Sequence, residues 1–269
     1  MLLCNGHIHV GVSWDADFSN YANALIAQSA ALASGWDVHF NDFYLLTKSD
    51  GLTWGTSGNI RAMHMLAHGN FNANKVNMVT PAGTFASSTG SPTSGANGEI
   101  LNGSTQFVDI GVAPNISTQN GLGFGCYVQA ESETNSGRNL MGSQTTSSRI
   151  SSLSYGISPD RTFAIPSTFA GGSMIYSGGH ATGAILCNRT SSTSSALIID
   201  ATVEVTSATT SATAGTRNFY LGANNNAGTA NLFCNCVISA DYVTNGMDNT
   251  EAIQFLSRVK TLLTNTAGA

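Results

Sequence analysis

The chain has 269 residues, of which 9% are charged, against about 25% in ordinary globular proteins, and its formal net charge is −5. An acidic balance with only three lysines, Lys48, Lys75 and Lys260, argues against a nucleic-acid partner, which needs a basic face. Hydrophobic residues make up 42% of the chain, which excludes disorder, and no apolar run is long enough to span a bilayer.

Residues 1 to 14 alternate weakly and are expected to form a strand that ties the chain to a neighbour. Residues 15 to 46 read as one or two helices. Tyr21, Leu25, Ala31, Leu32 and Trp36 supply an apolar stripe, and Gly35 breaks the first helix. Trp14 and Trp36 are packing anchors in this reading. Residues 47 to 68 are a connection with a short helical or turn piece at Asn59 to Ala67. From about residue 70 to 247 short strands recur between Gly, Pro, Ser and Asn, the pattern of a sandwich or jelly roll. Phe124–Ala130, Arg161–Ile165, Ala184–Asn188 and Leu197–Thr206 are the clearest. In the last, Val203 and Val205 alternate with Thr202, Glu204 and Thr206, so one face is wet. Pro81 to Gly98 reads as a flexible loop. Near the end, Asn218–Leu221 and Leu232–Ile238 read as two strands around an Asn/Gly turn, Gly222 to Thr229. Asp248-Asn249-Thr250-Glu251 has the form of a capping box. Ile253, Leu256, Val259 and Leu263 follow at helical spacing, with Arg258 and Lys260 later, where positive charge suits the dipole.

The five cysteines, Cys4, Cys126, Cys187, Cys234 and Cys236, are odd in number and scattered, so they make no disulfide framework. Most sit in apolar runs, where a cysteine behaves as a small hydrophobe. This implies assembly in a reducing cytoplasm, and Met1 to Val12 lacks the features of a signal peptide. Cys234 and Cys236 share a strand face, which suits core packing better than a bridge.

Few residues suggest chemistry. Glu131-Ser132-Glu133 is the nearest approach to a paired carboxylate, and a solvated turn is the better reading. No nucleophile elbow, zinc-protease motif, Walker loop or dinucleotide fingerprint occurs. His7 and His9 share one strand face and would give six imidazoles to one ion in a trimer; an ordinary polar face is the plainer alternative. His39, His64, His68 and His180 show no ligand spacing. Asn224, Asn225 and Asn226 could offer amide oxygens to a sugar or to calcium, but a hairpin turn with left-handed Asn residues is favoured, and no acid is present for calcium. Trp54, Tyr155, Tyr176 and Tyr242 are the aromatic candidates for stacking on a sugar, and each could equally be core. No cofactor is expected.

Three motifs resemble one family. Tyr220-Leu221-Gly222-Ala223-Asn224-Asn225-Asn226-Ala227-Gly228-Thr229, a following strand, Ile238-Ser239, Gly246-Met247-Asp248, Glu251-Ala252 and a closing helix look like the end of a concanavalin A-like (LamG/glucanase-type) jelly roll of tailed-bacteriophage virion proteins. Phe18 to Leu46, with Gly35-Trp36-Asp37 and Phe43-Tyr44-Leu45-Leu46, resembles the helical segment that precedes such domains. Asn102 to Pro114 resembles the entry strand. The resemblance implies a mainly β jelly-roll sandwich with a small N-terminal helical segment and a C-terminal helix. It divides the chain into an anchoring segment, 1–68, and the sandwich, 69–269. The function it implies is a non-enzymatic virion protein, a lectin-like module on a tail or fibre that binds host surface polysaccharide. The competing reading is a capsid decoration or head-fibre knob. A glycan depolymerase fits poorly, because the carboxylate run of the glucanases, Glu-x-Asp-x-(x)-Glu, is missing. Other virion proteins, a homo-oligomer and no membrane insertion complete the expectation.

Overall fold

The computed structural model describes residues 14–30, 32, 35–83, 86–132, 137–147, 149–156, 161–168 and 173–267, and the backbone of 3–4 and 7–8. In chain order the elements are β1 (Leu3–Cys4), β2 (His7–Ile8), α1 (Ala16–Ala27), α2 (Trp36–Ser49), β3 (Ile60–Met65), α3 (Phe71–Asn74), β4 (Ser87–Thr89), β5 (Thr93–Gly95), β6 (Gly98–Asn102) and β7 (Phe107–Asp109). After a 3-10 turn at Pro114–Ile116 come β8 (Leu122–Glu131), β9 (Arg138–Thr146), β10 (Arg149–Gly156), β11 (Arg161–Thr168), β12 (Met174–Tyr176), β13 (Gly183–Ser191), β14 (Ser194–Ile199) and β15 (Thr202–Ser207). The chain closes with β16 (Tyr220–Leu221), β17 (Asn224–Asn226), β18 (Thr229–Asn231), β19 (Asn235–Asn245) and α4 (Asn249–Ala267).

Two sheets face each other, so the protein is a mainly β sandwich with few helices. One runs β15-β14-β13-β8-β19-β6-β5, with β3 also on β19; the other runs β12-β11-β10-β9-β16-β7-β4, with β17 on β9 and β18 on β17. Pairing is antiparallel except between β17 and β9. The helices cover the outer face of the first sheet. That sheet is therefore buried on both sides, and alternate residues of one strand serve different cores. Ala184, Leu186, Ala196, Ile198 and Tyr242 pack with Phe40, Phe255 and Leu256 in the helical layer. Ile185, Cys187, Leu197, Ile199 and Val243 pack with Leu140, Leu153 and Phe219 between the sheets. This two-sided burial is why β13 and β14 read as unbroken apolar runs rather than as alternation.

Local chemistry sets the helix ends. Asp15 caps α1, its carboxylate accepting from the amides of Asp17 at 2.9 Å and Phe18 at 3.4 Å, and Lys48 of α2 bridges Asp15 and Asp17. Gly35 precedes α2 at φ +84°, a left-handed conformation that suits glycine. The capping box of α4 forms as expected: Glu251 accepts from the Asp248 amide and Asp248 from the Glu251 amide, both at 2.9 Å. Arg258 then pairs with Asp50 at 2.9 Å, joining α4 to the end of α2.

Five expectations are corrected. Asn59 to Ala67 holds the extended strand β3, because its apolar side chains pack on both faces of the sheet. Leu197 to Thr206 is two strands, turned at Asp200 and Ala201, whose φ values of 46° and 68° mark a tight hairpin. Val203 and Val205 are half-buried between exposed Thr202, Glu204 and Thr206. Part of Pro81 to Gly98 forms the edge strands β4 and β5. The strands at 218–221 and 232–238 do not pair with each other: β16 lies in one sheet and β19 in the other. The hairpin is instead β17–β18, turning at Ala227 (φ 53°) and Gly228 (φ 101°), so Asn224 to Asn226 are strand and not left-handed turn. β3, which lies before residue 68, is hydrogen-bonded along β19.

Candidate functional site

The aromatic and Asn residues singled out from the sequence do not converge. Tyr155 and Tyr242 have no exposed surface. Tyr242 lies across Gly125, where a Cβ would meet its ring at 2.7 Å, and its hydroxyl sits 3.0 Å from the carbonyls of both Cys126 and Ile185. Trp54 is wedged against Phe43 and Tyr44 and donates its indole N–H to Thr47. Tyr176 is half-buried against the inter-sheet core. Burial removes Tyr155 and Tyr242 from any contact with a sugar, whereas Trp54 and Tyr176 are half-buried. Asn224 and Asn225 are buried, and their amides are engaged by Gln144, Asn231, Asn218 and Gly228; Asn226 alone of the three is exposed.

The titratable groups also differ from expectation. Glu131 is not a solvated turn acid: His180 approaches it at 3.3 Å and stacks on the Tyr155 ring at 4.4 Å between centroids. Glu133 and His9 lie outside the described residues, as does the side chain of His7. His64 and Asp241 sit opposite each other on β3 and β19, wholly buried, with Nδ1 of His64 3.0 Å from Oδ1 of Asp241. His68 accepts or donates a 2.9 Å hydrogen bond with Tyr21 inside a box of Tyr21, Trp36 and Phe40, and burial drives its pKa down to about 3. Cys126, Cys187, Cys234 and Cys236 are buried and carry no disulfide. Among the described residues no group of three or more His, Cys, Asp and Glu could hold a metal.

An open recess lies elsewhere, where α1, β3 and the segment after β7 meet. Two depressions share the turn Thr80-Pro81-Ala82-Gly83. One, of about 440 Å³, is walled by Asn20, Asn23 and Ala24 of α1, which share a helix face by their i, i+3, i+4 spacing. The other, of about 320 Å³, is walled by Arg61, Asn77 and Thr56 on one side and by Gly111, Val112 and Ile116 on the other. The shared turn closes with a 2.8 Å bond from the Gly83 amide to the Thr80 carbonyl, with Pro81 at the position that suits its fixed φ.

Each wall is fixed from behind. Asn77 is 2% exposed, and its side-chain oxygen accepts from the amides of Met63 and Val79, which leaves the NH₂ for a ligand. Gly111 adopts φ +71°, and its amide donates to Asp109 at 2.8 Å. Arg61 owes its direction to a β-bulge. Val243 pairs with Ala62 and Thr244 with Ile60, so Arg61 is the extra residue of β3. Such a bulge re-aims one side chain out of the alternating pattern. Burial alone acts on the guanidinium, lowering its pKa from the usual arginine value, and its Nε is buried without a hydrogen-bond partner. The recess is thus a largely apolar hollow, lined by residues such as Ala24, Pro81, Val112 and Ile116, that carries a few amides and hydroxyls and one cation.

Sequence reasoning missed this site. Its signals were a lone arginine in the apolar run Ile60-Arg61-Ala62-Met63, and the turn-forming Thr80-Pro81-Ala82-Gly83 inside what read as a flexible loop.

No protein-family model matches the chain. No curated protein matches it either. Solved structures do share its fold. The sialidase of Trypanosoma rangeli in complex with sialic acid superposes with a TM-score of 0.55 at 13% identity, over 75% of this chain and 33% of the sialidase. The same enzyme with 2,3-difluorosialic acid gives 0.53 at 10% identity, over 76% and 33%. Domain 4 of AbnA, an extracellular arabinanase of Geobacillus stearothermophilus, in complex with arabinotriose, gives 0.44 at 13% identity, over 73% of this chain and all of that domain. The chain spans about a quarter to a third of the length of the sialidases it matches.

The sialidases are enzymes, and this corrects the expectation of a non-enzymatic protein. That expectation leaned on the missing glucanase carboxylates. Sialidases work with a tyrosine nucleophile instead. The missing run therefore speaks against glucanase chemistry and does not exclude an enzyme on this fold.

Proposed function

We propose that the chain is a glycan-binding β-sandwich and that the recess around Thr80–Gly83 is where the glycan lies. The observation that carries this reading is the pair of adjoining depressions, open to solvent and lined by Asn20, Asn23, Thr56, Asn77 and Thr80. Carboxamides and hydroxyls of this kind both donate and accept, as sugar hydroxyls require. Recesses of a few hundred cubic ångströms hold small ligands with a few fixed polar groups. The fold-sharing sialidase is described with bound sialic acid, which adds support by analogy. We also propose, from the sequence resemblance, that the protein is carried on the virion of a tailed bacteriophage, contacts other virion proteins, repeats as a homo-oligomer and binds host surface polysaccharide. Weak single-site binding would then be strengthened by repetition.

The test is adsorption competition. Purified protein is added in excess to host bacteria before phage. Lower adsorption, reversed by soluble host polysaccharide, supports the proposal. Unchanged adsorption with no binding to cells rejects host-glycan recognition and favours a capsid decoration knob.

A further inference from the structure

We propose that Arg61 makes this recess selective for acidic glycans, by pairing with the carboxylate of a uronic-type sugar residue. The inference rests on the glycan reading above and narrows it to a substrate class. Three observations carry it. The bulge in β3 turns one side chain toward the recess, and that side chain is an arginine in a chain with few cations. The guanidinium has no carboxylate partner among the described residues, whereas Lys48, Arg258 and Lys260 all pair with aspartates. The acid nearest in sequence to the opposite wall, Asp109, is already engaged by the Gly111 amide and by Asn218.

An unneutralised, partly desolvated guanidinium is costly unless a ligand completes it. Its planar fork matches a carboxylate with two parallel hydrogen bonds. The Asn77 NH₂ and the hydroxyls of Thr56 and Thr80 line the same recess and could contact the ring hydroxyls. The recess has no aspartate or glutamate in its lining to repel such a ligand.

The experiment measures binding of the whole protein to trigalacturonate, to its methyl ester, to lactose, to 3′-sialyllactose and to inorganic phosphate, by calorimetry at low and high salt. The expected result is that an acidic sugar binds at least tenfold more tightly than its neutral counterpart, and that salt weakens only the acidic one. Arg61→Ala should abolish this preference, bringing the affinity for the acidic sugar down to that for its neutral counterpart. Arg61→Lys should restore it only in part, because the charge returns without the fork. Thr80→Tyr, which fills the recess from its rim, should weaken neutral and acidic sugars alike, and melting curves show whether each variant is folded. Equal affinity for acidic and neutral sugars, or binding unaffected by Arg61→Ala, overturns the acid selectivity and leaves the glycan reading standing. Phosphate binding as tightly as the sugar acids overturns it too, by showing a simple anion site. No binding of any sugar overturns both readings.

Discussion

The pair formed by His64 and Asp241 allows a sharp energetic prediction. Both side chains are fully buried, joined by one 3.0 Å contact, and the remaining atoms, Nε2 of His64 and Oδ2 of Asp241, have no hydrogen-bond partner. The substitution His64→Leu removes the donor and strands a carboxyl group between the sheets. Breaking a buried pair in this way costs about 3–5 kcal/mol. Asp241→Val strands only an imidazole N–H, at about 1–3 kcal/mol. The double variant strands nothing and keeps the volume nearly filled, so it should lie within about 1 kcal/mol of the wild type or above it. The ordering is therefore His64→Leu worst, Asp241→Val intermediate, and the double variant best of the three. At about 2–4 °C per kcal/mol for a domain of this size, His64→Leu should lower Tm by roughly 10 °C. Urea unfolding followed by tryptophan emission measures all three. A double variant as unstable as the sum of the singles, or a His64→Leu cost below about 1 kcal/mol, would refute the argument.

Other outcomes follow from the same geometry. His68 is held neutral by its aromatic box, with a pKa of about 3 against about 6.5 when unfolded. The unfolded chain then binds the proton first as pH falls, so this stability is complete above pH 6.5 and is lost progressively toward pH 3, at most about 2 kcal/mol of it by pH 5. His68→Gln should flatten that slope in pH-dependent melts. Asp248→Ala opens the capping box and should cost about 1 kcal/mol, with Glu251→Ala costing less; equal Tm for all three proteins would contradict it. Cys126 and Cys187 have thiol pKa values pushed up, by burial first, so in a Cys4→Ser background the native protein should resist a thiol reagent until unfolded.

The parts of the fold that were legible from sequence are those written in local patterns. Glu251 three residues after Asp248 and the helically spaced Leu256 and Val259 each state a helix end or face within a few residues, whereas Gly35, expected to break the first helix, instead precedes α2, and α1 ends at Ala27. The strands Phe124–Ala130 and Ala184–Asn188 were legible because two-sided burial makes them continuously apolar. What failed was pairing. Asn218–Leu221 and Leu232–Ile238 are close in sequence, and the short hairpin inside them, at Ala227–Gly228, hides that their strands belong to different sheets. The recess was illegible for a similar reason. Asn20, Arg61, Thr80 and Gly111 are brought together by four separate elements, and a bulge that aims one arginine leaves no trace in composition. Tyr155 and Tyr242 misled because an aromatic that lines a core and one that meets a sugar are the same letters.

The position of β19 has a consequence in time. It is the strand on which β3, β6 and β8 all converge, yet it follows all three in the chain. His64 and Asp241, which face each other across β3 and β19, are 177 residues apart. At the usual 5–20 residues per second, β3 leaves the ribosome roughly 9–35 s before its partner exists. α2 waits longer still for α4. Until β19 emerges, β3 has no strand partner along its length and β8 has only β13 beside it. Such long-range pairing folds slowly and keeps sticky edges open while it waits. A cell that makes this protein in quantity would therefore have to shelter these edges until β19 emerges.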